Sequence, residues 1–430
     1  MAYRTLTPIL VALALTLAPL TARAQTMPAT GAGSDLTISL VTMGQGDAVW
    51  ELFGHNAIWI HDASTMADEV WNWGMFSFDQ PHFILRFLEG RMLYSMGGFT
   101  LDQTLAEYRY LNRTVWSQEL DLTNEQKAAI RDYIHWNALP QNADYRYDYY
   151  RDNCSTRVRD VIDRALGGAI RAAAATKMTG TTYRWHTLRL MQRMPFTMAG
   201  VDIAAGEPTD RDLSAWQTMF LPQQVHDFIR TVRVSDGRGG TKPLVRSEHV
   251  LFQATRPPEP SKPPALMLPF LAIGVIVSAL FAWLGARARS MDASAVARWT
   301  AATVLGAWSL LAGILGTLLT LMWTVTDHIF THRNENLLLF NPLWIVLGVM
   351  LIVSLGSARW ERDTRAVAVL ATVLACLAPL AHLVRLSSQV NLPVIALALP
   401  PALAIAWVTA RPVSTPTATR TATASASLAR

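Results

Sequence analysis

Residues 150–168 read YRDNCSTRVRDVIDRALGG. Val158, Val161, Ile162 and Ala165 fall at helical spacing, and the Gly167-Gly168 pair ends the run. The spacing predicts a helix that begins at Asn153-Cys154, with Asp152 or Asn153 as N-cap. A thiol placed there feels the positive end of the helix macrodipole and free backbone N–H groups, which favour thiolate. The same N–H groups suit an oxyanion hole. Arg151 and Arg157 add positive charge close by. The chain has 2 cysteines, and Cys376 lies inside an apolar run, out of reach of Cys154. An unpaired cysteine in an exported domain is a candidate reactive thiol. The plainer alternative is a buried, inert one.

A thiolate nucleophile needs a histidine within hydrogen-bond reach. The segment before residue 256 offers His55, His61, His82, His135, His186, His226 and His249. His55 stands out in FGHNAIWIH (53–61), directly after Gly54 at the start of a strand-like run. Strand alternation puts His55, Ala57, Trp59 and His61 on one face and Asn56, Ile58 and Ile60 on the other. His61 lies about 20 Å further along by strand rise. A second strand is expected at 69–74, helices at 82–89 and 101–111, and an extended run at 115–122. Thr123 and Gln126 form a capping box for a helix to about 139, where His135 is a surface residue. Residues 140–151 read as a polar, Tyr-rich loop, and 169–253 is weakly patterned.

The 430 residues are 51% hydrophobic and only 16% charged, with a mean hydropathy of +0.20. Soluble chains carry about 25% charge. The deficit sits in 266–410, so the chain divides between two solvents. Residues 1–24 carry Arg4, the apolar run ILVALALTLAPL and an A-x-A site before Gln25. This reads as a secretory signal peptide, the alternative being an uncleaved anchor. The expected domains are the signal (1–24), an exported domain (25–255), a proline-rich linker opening on RPPEPSKPP (256–265), a membrane bundle (266–410) and a disordered cytoplasmic tail (411–430). Apolar runs at about 266–284, 300–325, 342–357, 366–384 and 391–408 predict five transmembrane helices. Arg287, Arg289, Arg298, Arg359, Arg362, Arg365 and Arg411 fall in alternate connections and the tail, with only Arg333 and Arg385 in the others. That bias predicts a periplasmic first domain on a bacterial inner membrane. The net charge is +5, but no basic stripe with interleaved aromatics points to nucleic acid.

Two further segments bear on substrate. In HFILRFLEG (82–90), Phe83, Ile84, Phe87 and Leu88 share a helical face. Core packing is the ordinary reading. A membrane-surface helix or acyl-chain wall is the other, and Phe76 and Phe78 upstream would suit it. The loop TVTDHIFTHRNENLLLFNP (324–342) is polar for a connection between spans, and the topology puts it beside the exported domain. His328 and His332 stand four apart, but no further ligands join them, so no metal is expected. Asn334 and Asn336 are candidates to position a lipid headgroup or an amine.

FGHNAIWI and YRDNCSTRVRD, with the histidine well before the cysteine, resemble the circularly permuted branch of the papain-like, NlpC-type fold, as in lecithin:retinol acyltransferase. More closely, the chain resembles the Lnb family of bacterial lipoprotein N-acyltransferases. FGHNAIWIHD, WNWGMFSFD with a following F-x-x-x-F, YxxxRDNCSTRVRD and THRNENLLLFNPLW carry that resemblance over nearly the whole mature chain. The resemblance implies an α+β permuted papain-like periplasmic domain followed by an all-α transmembrane bundle. It implies Cys154 as nucleophile and His55 as base. Asn72 is the chosen third member, with Asp62 the alternative. Arg157, Phe83, Phe87, His328, His332, Asn334 and Asn336 are the expected substrate-binding residues. The expected reaction moves a phospholipid acyl chain through a Cys154 thioester to the N-terminal amine of a diacylglyceryl-lipoprotein, without a cofactor. The alternatives are a papain-like cysteine hydrolase acting on peptidoglycan or lipid, and a non-catalytic membrane scaffold.

Overall fold

The computed structural model describes residues 32–76, 81–290, 292–353 and 358–410. The expected signal peptide (1–24), the expected tail (411–430) and Phe78 lie outside the described residues.

The first domain is built on a sheet of β1 (Leu36–Met43), β2 (His55–Asp62), β3 (Ala67–Met75), β4 (Leu93–Thr100), β5 (Val115–Leu120), β6 (Asp144–Arg146) and β9 (Val245–Phe252). Its order is β6-β4-β3-β2-β1-β5-β9, and every pairing is antiparallel. β7 (Arg233–Ser235) and β8 (Thr241–Pro243) form a separate hairpin. The accompanying helices are α1 (Phe83–Glu89), α2 (Leu101–Tyr110), α3 (Asn124–Asn137), α4 (Cys154–Ala165), α5 (Tyr183–Met191), α6 (Pro195–Ala204) and α7 (Pro222–Ile229).

β1 reads LTISLVTM, and seven of its eight residues are buried. Both faces of the sheet are covered, so a central strand here has little reason to alternate strictly. On one side Ile38, Leu40, Ile58 and Ile60 pack with Ile130 and Ile134 of α3 and Val158, Val161 and Ile162 of α4. On the other, Val41, Met43, Ala57 and Val70 pack with Leu105 and Tyr108 of α2. α3 begins on the expected box: Thr123 Oγ1 accepts from the Gln126 N–H at 3.3 Å, and Gln126 Oε1 accepts from the Thr123 N–H at 2.9 Å. The 140–151 segment is not all loop. Asp144–Arg146 forms β6 and pairs Tyr145 with Tyr94 of β4.

Among the described residues, five stretches are long and apolar enough to cross a membrane: Met267–Arg289, Ala295–Thr324, Asn336–Val353, Arg362–Leu383 and Leu392–Ala410. They contain α8 (Met267–Arg289), α9 (Ala295–Thr324), α10 (Leu343–Val353), most of α11 (Ala358–Leu383) and α12 (Leu392–Ala410). The third begins six residues earlier than hydropathy suggests, because Asn336–Leu339 turns helically under the polar loop.

Domain and bundle meet in a buried polar joint at the end of α6. The last carbonyls of a helix have no partner within it. Here Asn334 Nδ2 donates to the Ile203 and Ala204 carbonyls at 2.8 and 2.9 Å, and Asn336 Nδ2 donates to Ile203 at 2.9 Å. Asn391 Nδ2 donates to Asn336 Oδ1 at 2.9 Å, and Gln389 Nε2 donates to the Ala205 carbonyl at 3.2 Å. Arg184 braces the same turn from within, held by Asp202 and Asp210 at 2.7 Å each.

Candidate active site

Asn153 fixes where α4 starts. Its Oδ1 accepts from the Thr156 N–H at 3.0 Å, and its own N–H donates to Thr156 Oγ1 at 2.8 Å. Its Nδ2 donates to the Tyr149 and Phe220 carbonyls at 3.0 and 2.9 Å. A cap buried and tied on both sides sets Cys154 as the first helical residue, and Cys154 itself is partly buried.

His55 opens β2, and the β2–β3 register sets Ala57 opposite Asn72. His55 and Asn72 are therefore diagonal neighbours on one face. His55 Nε2 lies 3.0 Å from Asn72 Oδ1, while Asn72 Nδ2 donates to the Val70 carbonyl at 3.1 Å. The second bond orients the amide, so its oxygen faces the histidine. With that oxygen as acceptor, Nε2 carries a proton and Nδ1 keeps the lone pair. Asp62, the other candidate, is at the far end of β2 and accepts from Ser64 instead.

The imidazole and the thiol sit close enough that each acts on the other's charge. Burial pushes the thiol up, but the charge and hydrogen bond of His55, the Asn56 backbone N–H and the Ser155 hydroxyl outweigh it, and Cys154 is lowered to about 7. Burial disfavours the imidazolium, yet the facing thiolate and the Asn72 oxygen raise His55 above its usual value. Opposite charges at close range each favour the other's charged form. The arrangement can hold a nucleophile and a proton carrier ready for addition to a carbonyl. A pure scaffold has no need of such a contact.

The structure separates the expected substrate-binding residues into three groups. Phe83 and Phe87 lie on α1, which has no buried residue; Ile84 is 73% exposed and Leu88 59%. Core packing of this helix is thus overturned. α1 is instead laid against the 324–342 loop. The Asp327 N–H donates to the Glu89 carbonyl at 2.8 Å, and His328 Nε2 donates to the Phe87 carbonyl at 2.8 Å. Arg91 and Arg146 both reach Asp327 Oδ2, at 2.8 and 2.9 Å. Gly90 permits this approach: its φ is +73°, and a Cβ there would sit 2.9 Å from the Asp327 backbone. His332, Asn334 and Asn336 form the second group. His332 Nε2 donates to the Thr326 carbonyl at 3.1 Å. The two asparagines are buried in the joint, so their amides face α6 rather than a substrate. Arg157 stands alone. Its guanidinium clasps Asp152 at 2.6 and 2.7 Å and covers the Tyr145 ring at 3.9 Å.

An aromatic run missed in the sequence starts beside the core on which Cys154 packs. Tyr147 belongs to that same cluster. Its ring stacks on Tyr94 at 4.1 Å, Tyr94 on Phe76 at 5.1 Å, and Phe76 on Phe83 of α1 at 6.1 Å. WNWGMF supplies Phe76, β4 supplies Tyr94 and YRYDYY supplies Tyr147, and their joining depends on the β3–β4 and β4–β6 pairings.

Residues 24–193 match the family model described as the Lnb N-terminal periplasmic domain, a span that includes His55, Asn72 and Cys154. The domain belongs to the Lnb family. No curated protein and no solved structure matches the chain. An Lnb domain followed by five long apolar helices makes this a multi-pass membrane protein with a periplasmic domain. The match over the first domain points to an enzyme of lipoprotein maturation.

Proposed function

We propose that this Lnb protein is a cysteine-dependent lipoprotein N-acyltransferase whose periplasmic domain is a permuted papain-like fold. Cys154, His55 and Asn72 act as nucleophile, base and orienting residue. The Cys154 sulfur adds to an ester carbonyl of a phospholipid. The tetrahedral intermediate collapses with loss of the lysophospholipid oxygen, which takes the proton from His55, and a thioester remains on Cys154. The α-amine of a diacylglyceryl-lipoprotein then attacks the thioester, His55 accepts the amine proton, and the amide leaves as thiolate returns.

One observation carries this reading above a peptidoglycan hydrolase with the same dyad. An aromatic run from Tyr147, which packs on the same core cluster as Cys154, reaches Phe83 on an exposed apolar helix held against the loop before the third apolar stretch. A helix with that face suits the headgroup boundary, where it can admit an acyl chain. A sugar-peptide substrate has no use for such a path. The test is mass spectrometry of lipoprotein N-termini from cells with the gene, without it, and with Cys154→Ser. N-acylated termini should appear only with the native gene. Unchanged N-acylation in the Cys154→Ser strain contradicts the proposal.

A further inference from the structure

Tyr145 is more than nine-tenths buried, and its hydroxyl has no hydrogen-bond partner among the described residues. Buried hydroxyls are usually paired, and one left unpaired is destabilising. The Gly74 backbone N–H faces the phenol oxygen and can only donate toward it. The O–H proton is therefore left without an acceptor.

Its surroundings indicate what the proton is for. Gly74 has a φ of +88°, and a Cβ built on it would lie 3.5 Å from Cys154 Cβ, 3.9 Å from Cys154 N and 3.9 Å from Tyr145 Oη. The gap left by the missing side chain is thus bordered by the nucleophile and two donors. The Cys154 N–H is the first of its helix and has no acceptor within it. Oxyanion donors work at about 2.7–3.1 Å, and such contacts in empty sites are often long and tighten with substrate. Burial raises Tyr145 well above the usual phenol value, so it stays protonated. The Arg157 guanidinium over its ring draws electron density from the phenol, which strengthens the O–H as a donor.

We propose that Tyr145 is a catalytic residue whose hydroxyl, with the Cys154 N–H, binds the oxyanion formed in the gap beside Gly74. The sulfur lone pair forms the S–C bond while the carbonyl π pair moves onto oxygen. That oxygen takes both hydrogen bonds, and collapse restores the C=O as the C–O bond to the leaving group breaks. This inference rests on Cys154 being acylated, but not on which lipid supplies the acyl group.

The test compares two reactions of Cys154 in the full-length, detergent-solubilised protein. Acylation by p-nitrophenyl acetate passes through an oxyanion; alkylation by iodoacetamide does not. Tyr145→Phe removes only the hydroxyl. It should slow single-turnover acylation about 10²–10³-fold, leave alkylation unchanged, and keep or raise the melting temperature. Equal rates of acylation in both proteins, a parallel loss in both reactions, or a native protein that is not acylated overturns the inference. A split between the two reactions, together with unaltered lipoproteins in cells lacking the gene, sustains Tyr145 and refutes only the N-acyltransferase reading.

Discussion

At Cys154 the favourable interactions are local: the His55 imidazolium, the Asn56 N–H and the Ser155 hydroxyl all act on one sulfur. Together they outweigh burial, which acts alone in the other direction. The thiolate fraction should therefore rise with pH through a midpoint near 7. Iodoacetamide alkylation followed against pH reads that midpoint. His55→Ala removes the opposing charge, so the midpoint should move up toward the ordinary thiol range. Acyl transfer in the same variant should fall about 10²–10⁴-fold. A midpoint unmoved by His55→Ala contradicts the ion-pair account. The pair was legible in the sequence because a capped helix start and a strand after Gly54 each leave local marks. Asn72 needed the resemblance as well as its strand. The Asn56 N–H and the Tyr145 hydroxyl leave none: one is backbone, and the other lies in a Tyr-rich stretch whose short strand has no periodicity. Asn334 and Asn336 mislead for a related reason, since a polar residue between apolar spans looks the same whether it meets a substrate or a helix end.

α1 shows what a periodic pattern leaves open. An apolar stripe at helical spacing faces either a core or a lipid, and the spacing is identical. Exposure decides it here: Leu85 is 53% and Phe87 50% exposed, and the helix borders the loop ahead of the third apolar stretch. Leu85→Asp with Leu88→Asp should leave the melting temperature within about 1 °C, since neither side chain is buried. In lipid nanodiscs the double variant should transfer phospholipid acyl chains at least about tenfold more slowly, because an acidic face is unfavourable at the headgroup boundary. Its reaction with p-nitrophenyl acetate should match the native protein. Loss of both activities would place α1 in the fold rather than at the membrane. The strands that the sequence concealed include both edges of the sheet. β6 has three residues, and β9 (VRSEHVLF) carries charges out to solvent, as edge strands do. Neither offers the apolar alternation that identifies a half-buried strand.

Across the whole molecule, the joint makes domain and bundle one unit, with the catalytic domain on the side of the loop before the third apolar stretch. Asn334→Ala would leave the Ala204 carbonyl without its bond, at a cost of about 1–3 kcal/mol. The melting temperature should fall while activity per folded molecule holds; the reverse pattern would return Asn334 to a substrate role. Reporter fusions after Asp292 and Arg362 should read cytoplasm, and one near Arg333 periplasm, because the arginine bias alternates that way. The central claim is that Cys154 carries an acyl chain between two lipids. It is tested most directly by the intact mass of the full-length protein in phospholipid nanodiscs. The account predicts a gain of one fatty acyl chain on Cys154, lost as an amide when a diacylglyceryl peptide with a free α-amine is added and retained with an N-blocked peptide. Free fatty acid released without amide, or no adduct on Cys154, would contradict it.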